Sequence, residues 1–130
     1  MPDSGLSEEL EKFITGEIHS LEELEILLLL SLEPRKWWTA NMVYDVVKSS
    51  PASVEERLKR FARRGMLKTE NAAEIRYQFS LQDEKPQRIM SDLRQAYKTH
   101  PVKVVQAIYA QPPDPMSEFA KAFRIRKDEM

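Results

Sequence analysis

Residues 50–65 read SPASVEERLKRFARRG, and the reading of this stretch decides the fold. Ser50 is of the type that caps a helix start, and Pro51 suits the first helical turn. Val54, Leu58 and Phe61 fall at i, i+4 and i+7, which makes one apolar stripe. Arg57, Lys59, Arg60, Arg63 and Arg64 occupy the rest of the circumference, and Gly65 stands where a left-handed residue ends a helix. The spacing predicts a short helix with one apolar edge and a basic exposed face. Such a face suits contact with a polyanion and equally suits an ordinary solvated surface.

Upstream, the pattern stays helical. Ser7 to about Glu17 carries Leu10, Phe13 and Ile14 on one side. Ser20-Leu21-Glu22-Glu23 matches a capping box and opens a helix whose apolar face runs from Leu21 through Leu24, Leu27 and Leu28 to Leu30. Glu22, Glu23 and Glu25 then lie where the helix dipole favours negative charge, and they read as capping or solvated groups rather than a catalytic cluster. Pro34 ends this helix, and Pro34–Trp38 reads as a linker or short strand. In extended chain Trp37 and Trp38 point to opposite faces, one into the core and the other over the next helix or out to a partner. Thr39 caps a further helix, Ala40 to about Lys48, with Met42, Val43, Val46 and Val47 apolar, and Ser49-Ser50-Pro51 breaks it. Two short helices with a tight connection, the second basic, fit a helix-turn-helix.

Downstream of Gly65 the period falls from 3.6 to 2. Met66 and Leu67 begin a strand, Asn71–Ala73 is a turn, and Ile75, Tyr77, Phe79 and Leu81 alternate with polar residues, which predicts a β-hairpin. Residues 82–91 read as a polar connector. A helix is expected from about Gln87 to Thr99 on Ile89, Leu93, Ala96 and Tyr97. Another follows Pro101, with Val102, Val105, Ile108 and Tyr109 as its apolar positions. Asp114-Pro115 starts a last one, with Met116, Phe119, Ala120 and Phe123 in a stripe. Phe119, Phe123 and Tyr109 read as core in preference to the lining of a ligand pocket.

In this order of elements residues 21–81, about half the chain, resemble the winged helix-turn-helix domain of MarR-type bacterial transcriptional regulators, and SPASVEERLKRFARRGML carries the resemblance. The resemblance implies a mainly α fold with a small β-hairpin (α+β), a winged helix-turn-helix over 20–82, an N-terminal helical arm over 1–19 and a C-terminal helical extension over 83–130 that dimerises or packs. It implies a bacterial, cytoplasmic, homodimeric regulator that binds double-stranded DNA with helix 50–64 in the major groove. The residues expected at DNA are Ser50 and Ser53 at the helix start, Arg57 and Arg60 at base edges or nearby phosphates, Lys59 beside them, and Arg63, Arg64, Lys68, Arg76 and Lys36 along the backbone. One departure matters: the wing tip, TENAAE, offers Glu70 and Glu74 where many DNA-binding wings carry cations. Glu55 and Glu56 face either base edges or solvent; a glutamate accepts from cytosine N4 but repels phosphate. Winged helices also serve as protein-interaction modules, so a protein partner is the second reading.

Charge is unevenly spread along the 130 residues, whose net is −1. Residues 1–33 carry nine acids and one base, and residues 34–68 nine bases and three acids. The middle is a positive patch, and the acidic start can pair with it within one chain or between two. The longest apolar run, Ile26–Leu30, is far too short for a membrane span, and the acidic start does not resemble a signal peptide. There are no cysteines, only two histidines and three glycines, so thiolate sites, a metal centre and a glycine-rich phosphate loop are not expected, and neither a cofactor nor an enzymatic activity is implied.

Overall fold

Each helix of the N-terminal half starts on a hydroxyl cap. The computed structural model describes residues 6–80 and 84–110. Helix α1 (Glu8–Glu17) is capped by Ser7, α2 (Leu21–Leu32) by Ser20, α3 (Ala40–Val47) by Thr39 and α4 (Pro51–Arg63) by Ser50, with each side-chain oxygen accepting from the N–H three residues on. The hairpin is β2 (Leu67–Glu70) and β3 (Arg76–Phe79), followed by α5 (Glu84–Thr99) and α6 (Pro101–Tyr109).

A third strand, β1 (Trp38–Thr39), joins the hairpin to make an antiparallel sheet in the order β1-β3-β2. Trp38 stands opposite Tyr77 and Thr39 opposite Arg76, while Leu67 faces Phe79 and Glu70 faces Arg76. The two tryptophans do separate: Trp38 is buried, whereas Trp37 lies under the Arg76 guanidinium, 6.0 Å from ring centroid to cation. Tyr77 and Phe79 are the buried members of the alternation; Ile75 falls outside the strand and is exposed, and Leu81 lies outside the described residues.

One hydrophobic cluster runs through the described chain. Leu24, Leu27 and Leu30 of α2 meet Val43 of α3, Val54, Leu58 and Phe61 of α4, Tyr77 of β3, Leu93 of α5 and Val104 and Ile108 of α6. Each large aliphatic or aromatic side chain so buried stabilises the fold by roughly 1.5–3 kcal/mol. Helix α1 packs on α5 and α6 through Leu10 and Ile14.

Two expectations for the C-terminal part are corrected. Residues 84–91 belong to α5, so the connector is shorter than the sequence suggested. On α6 the inward stripe is Val104, Ala107 and Ile108, while Val102 and Tyr109 are more than half exposed. Valines at 102, 104 and 105 offer two competing stripes, and the packing of α6 against α1 selects the second. The expected helix after Pro115, with Met116, Phe119 and Phe123, lies outside the described residues.

Candidate nucleic-acid interface

Helix α4 has three distinct sides, set by the 100° advance per residue. The core side is Val54, Leu58 and Phe61, all fully buried, which fixes the rotation of the helix about its axis. Its end is equally well defined. The Gly65 N–H donates to the Ala62 carbonyl at 3.0 Å and the Met66 N–H to the Phe61 carbonyl at 2.9 Å, the paired bonds of a Schellman stop, with Gly65 at φ 83°.

The second side faces the α1–α2 junction and carries Ser53, Arg57, Arg60 and Arg64. Ser53 Oγ donates to Glu22 Oε1 at 2.7 Å, and Ser49 Oγ to Glu22 Oε2. Arg57 Nε reaches Glu22 Oε1 at 3.2 Å and its Nη1 reaches Glu23 Oε2 at 3.4 Å. Arg60 forks onto both Glu23 oxygens, at 3.0 and 3.1 Å, and donates to the Glu17 carbonyl at 2.7 Å. Arg64 Nε meets Glu17 Oε1 at 2.6 Å. The acidic start and the basic middle of the sequence therefore meet within one chain.

Glu23 is fully buried. The Ser20–Glu23 motif forms only one half of the capping box as read. Ser20 Oγ accepts from the Glu23 N–H, but Glu23 Oε1 accepts from the His19 N–H at 2.8 Å, one residue further back, and the carboxylate is otherwise spent on the arginines. Glu23 is thus not the solvated dipole group that its position suggests. For Glu22, burial pushes the carboxyl up, but donors from Ser49, Ser53 and Arg57 outweigh it and hold the group below the usual carboxylate range.

The third side is exposed: Ala52, Glu55, Glu56, Lys59 and Arg63. Lys59 Nζ lies 3.6 Å from Glu55 at i,i+4. Glu55 also borders a notch shared with Glu74, Ile75 and Tyr77 of the wing. Glu56 has no hydrogen-bond or ion-pair partner among the described residues. Its natural i+4 mate is Arg60, and Arg60 is held on Glu23. Arg63 has no acidic partner among the described residues either.

The remaining expected contacts divide in the same way. Ser50 Oγ accepts from the Ser53 N–H at 3.2 Å and serves as cap. Lys68 is exposed on β2. Arg76 Nη2 is paired across the wing with Glu70 Oε2 at 2.8 Å. Lys36 Nζ sits 4.1 Å from the centroid of the Trp38 ring, a cation–π contact. Of the ten expected residues the structure leaves Arg63 and Lys68 exposed without an acidic partner among the described residues, sets the exposed Lys59 beside Glu55, and places Arg57, Arg60 and the exposed Arg64 on the carboxylates of Glu22, Glu23 and Glu17. The sequence carried half of the signal: those arginines share one side of the helix, offset from the Ala52–Glu56–Lys59–Arg63 stripe, but their carboxylate partners lie 34 to 47 residues away.

Helices α3 and α4, the β2–β3 hairpin and the supporting α1, α2, α5 and α6 define a winged helix-turn-helix fold. No protein-family profile matches the chain, and no curated protein does. Solved structures share the architecture. Sco5413, a MarR family transcriptional regulator from Streptomyces coelicolor, is similar at TM-score 0.55 and 13% identity over 92% of this chain and 79% of its own. MepR, a transcription regulator of the Staphylococcus aureus multidrug efflux pump MepA, gives 0.52 and 12% over 93% and 89%. A Lactococcus lactis ZitR variant in complex with DNA gives 0.50 and 18% over 84% and 73%. The fold is thus the MarR-like winged helix. No helix among the described residues is long and apolar enough to cross a membrane.

Proposed function

We propose that the protein binds double-stranded DNA sequence-specifically and acts as a transcriptional regulator, with α4 lying in the major groove. The observation that carries this is the exposed stripe Ala52–Glu56–Lys59–Arg63, displayed by a helix whose rotation is fixed by three fully buried side chains and whose other charged side is already neutralised. The likeness to regulators, one of them solved with DNA, supports the same reading. Lys59, Arg63 and Lys68 hold phosphates. Ser53, Arg57, Arg60 and Arg64 hold α4 on α1 and α2 and act on DNA only through that placement. Arg76 and Lys36 stiffen the wing and the strand beside it.

The regulator works as a homodimer in this proposal, through the exposed side of α6 with Val102 and through the C-terminal extension. Two-fold symmetry then sets two half-sites about 34–36 Å apart. A second reading, a protein-interaction module, is favoured by one observation: with three arginines neutralised and Glu55, Glu56, Glu70 and Glu74 nearby, the outward face has almost balanced charge.

Selection of fragments from random-sequence DNA at about 150 mM salt tests the proposal. The wild-type protein enriches a palindromic site, and a Lys59→Glu, Arg63→Glu double variant, folded by circular dichroism, does not. Failure of the wild type to enrich any site leaves the interaction module as the function.

A further inference from the structure

Glu56 occupies the middle of the outward stripe, and its carboxylate has no partner among the described residues. Building on the DNA-binding reading above, we infer that Glu56 is the specificity-determining residue of α4 and selects a cytosine in each half-site by accepting from its N4 amine.

In a basic helix of this composition arginine is the expected reader of guanine edges. Here Arg57 and Arg60 are anchored on Glu22 and Glu23, the latter fully buried, so neither guanidinium is available to a base without breaking those bonds. The groups left to face the groove from the N-terminal half of α4 are Pro51 and Ala52, both apolar, with Glu55 and Glu56, and it is this half of a recognition helix that meets base edges. Glu55 is shared with Lys59 and lies against the wing notch. Ala52 can offer only apolar contact, to a thymine methyl. Glu56 alone combines exposure, a central place on the stripe and an uncompensated charge.

A carboxylate in that place is unfavourable against every part of DNA except an amine. It repels phosphate, and it repels the O6 and N7 acceptors of guanine. In the major groove only the cytosine N4 and adenine N6 amines donate, and adenine N7 beside N6 presents a further acceptor to the second carboxylate oxygen. Cytosine is thus the base that satisfies Glu56 without a clash. Because the residue also works against non-specific contact, it trades general affinity for discrimination, and that combination gives it a signature distinct from a solvated surface glutamate.

The test is fragment selection followed by fluorescence-anisotropy titration with wild type, Glu56→Ala and Glu56→Gln. Wild type is expected to enrich a site with one C·G pair per half-site whose replacement weakens binding on the order of tenfold. Glu56→Ala loses the preference at that pair, keeps the preferences elsewhere and binds non-specific DNA more tightly. Glu56→Gln moves the preference to adenine, since a glutamine amide pairs with N6 and N7. If the wild type enriches a site and both variants enrich the same site with the same preference at every position, the role of Glu56 is overturned while DNA binding stands. If the wild type enriches nothing, the DNA-binding reading itself fails and the inference falls with it.

Discussion

Arg60 lays its guanidinium on the carboxylate of Glu23, with Nε 3.1 Å from Oε2 and Nη2 3.0 Å from Oε1, and Glu23 is 0% exposed. The pair joins α4 to α2 at the α1–α2 junction. Truncating one partner of a buried pair leaves an uncompensated charge, which typically costs about 3–5 kcal/mol. Arg60→Ala is therefore expected to lower the unfolding free energy by about 3 kcal/mol, since Arg57 still touches Glu23. Arg57→Ala, with the fork intact, costs only about 1 kcal/mol. Urea denaturation measures both. A cycle with Glu23→Gln should give a coupling energy above roughly 1 kcal/mol; additive losses would show that the pair contributes no more than two separate contacts. Loss of DNA binding in an Arg60 variant would report unfolding of this anchor, so that residue is a poor probe of the interface.

The neighbouring Glu22 makes the same junction sensitive to acid. Three side-chain donors outweigh burial and hold its carboxyl below the usual range. The folded protein therefore binds this proton less readily than the unfolded chain. The resulting stabilisation is fully present above the ordinary carboxylate range and disappears as pH falls through it toward the lower folded value. Glu22→Gln should be less stable than wild type at pH 7, with the difference in melting temperature narrowing below about pH 4. A constant difference from pH 7 to pH 3 would mean that the folded and unfolded chains bind the Glu22 proton equally, so that its carboxyl is not held below the usual range.

Among the described residues, two take left-handed backbone, one suited to it and one not. Gly65 has φ 83° and open space where a Cβ would stand, so Gly65→Ala meets no clash and the cost is conformational alone, about 1 kcal/mol. Lys48, at φ 64° and ψ 28°, ends α3 in the same region with a side chain in place. Lys48→Gly should stabilise the fold, by roughly 0.5–1 kcal/mol, because the relief of left-handed strain exceeds the added chain entropy. Opposite signs for the two substitutions in chemical denaturation are the expected result; a loss on Lys48→Gly would mean that its aliphatic stem contributes packing.

Much of this architecture was legible because caps and periods agreed. Ser7, Ser20, Thr39 and Ser50 each open a helix where a hydroxyl precedes an apolar period, Gly65 closes α4, and the change of period at Met66 marks the wing. Sequence spacing failed where a choice depended on the opposing element. Val102 and Val105 formed as good a stripe as Val104 and Ala107 until α1 was set against α6. The arginines illustrate the same limit at the site. Local spacing places Arg57, Arg60 and Arg64 together on α4, but only the arrival of Glu17, Glu22 and Glu23 from 34 to 47 residues away determines that Arg57 and Arg60 turn to the α1–α2 junction and that Arg64, still exposed, meets Glu17. Charge segregation hinted at that meeting without identifying its members.

The division of cations on α4 fixes the salt dependence of DNA binding. Each phosphate neutralised contributes a slope of about −0.9 in log affinity against log salt. If every cation from Lys36 to Arg76 reached phosphate, the slope per domain would be steeper than about −5. With Arg57, Arg60 and Arg64 held on carboxylates, the contribution falls to Arg63, Lys68 and Lys59, whose solvent-exposed contact with Glu55 is weak enough to yield to a phosphate, and a slope of about −3 per domain is expected. Two substitutions separate the alternatives. Arg63→Gln should flatten the slope by about one per domain and weaken binding to all sequences alike. Arg57→Gln, provided that it remains folded, should leave the slope unchanged, because its charge is already compensated by Glu22 and Glu23. Anisotropy titrations over a salt series measure both. A slope lowered equally by the two variants would show that Arg57 leaves its carboxylates on binding, and that the α2–α4 contact opens when DNA arrives.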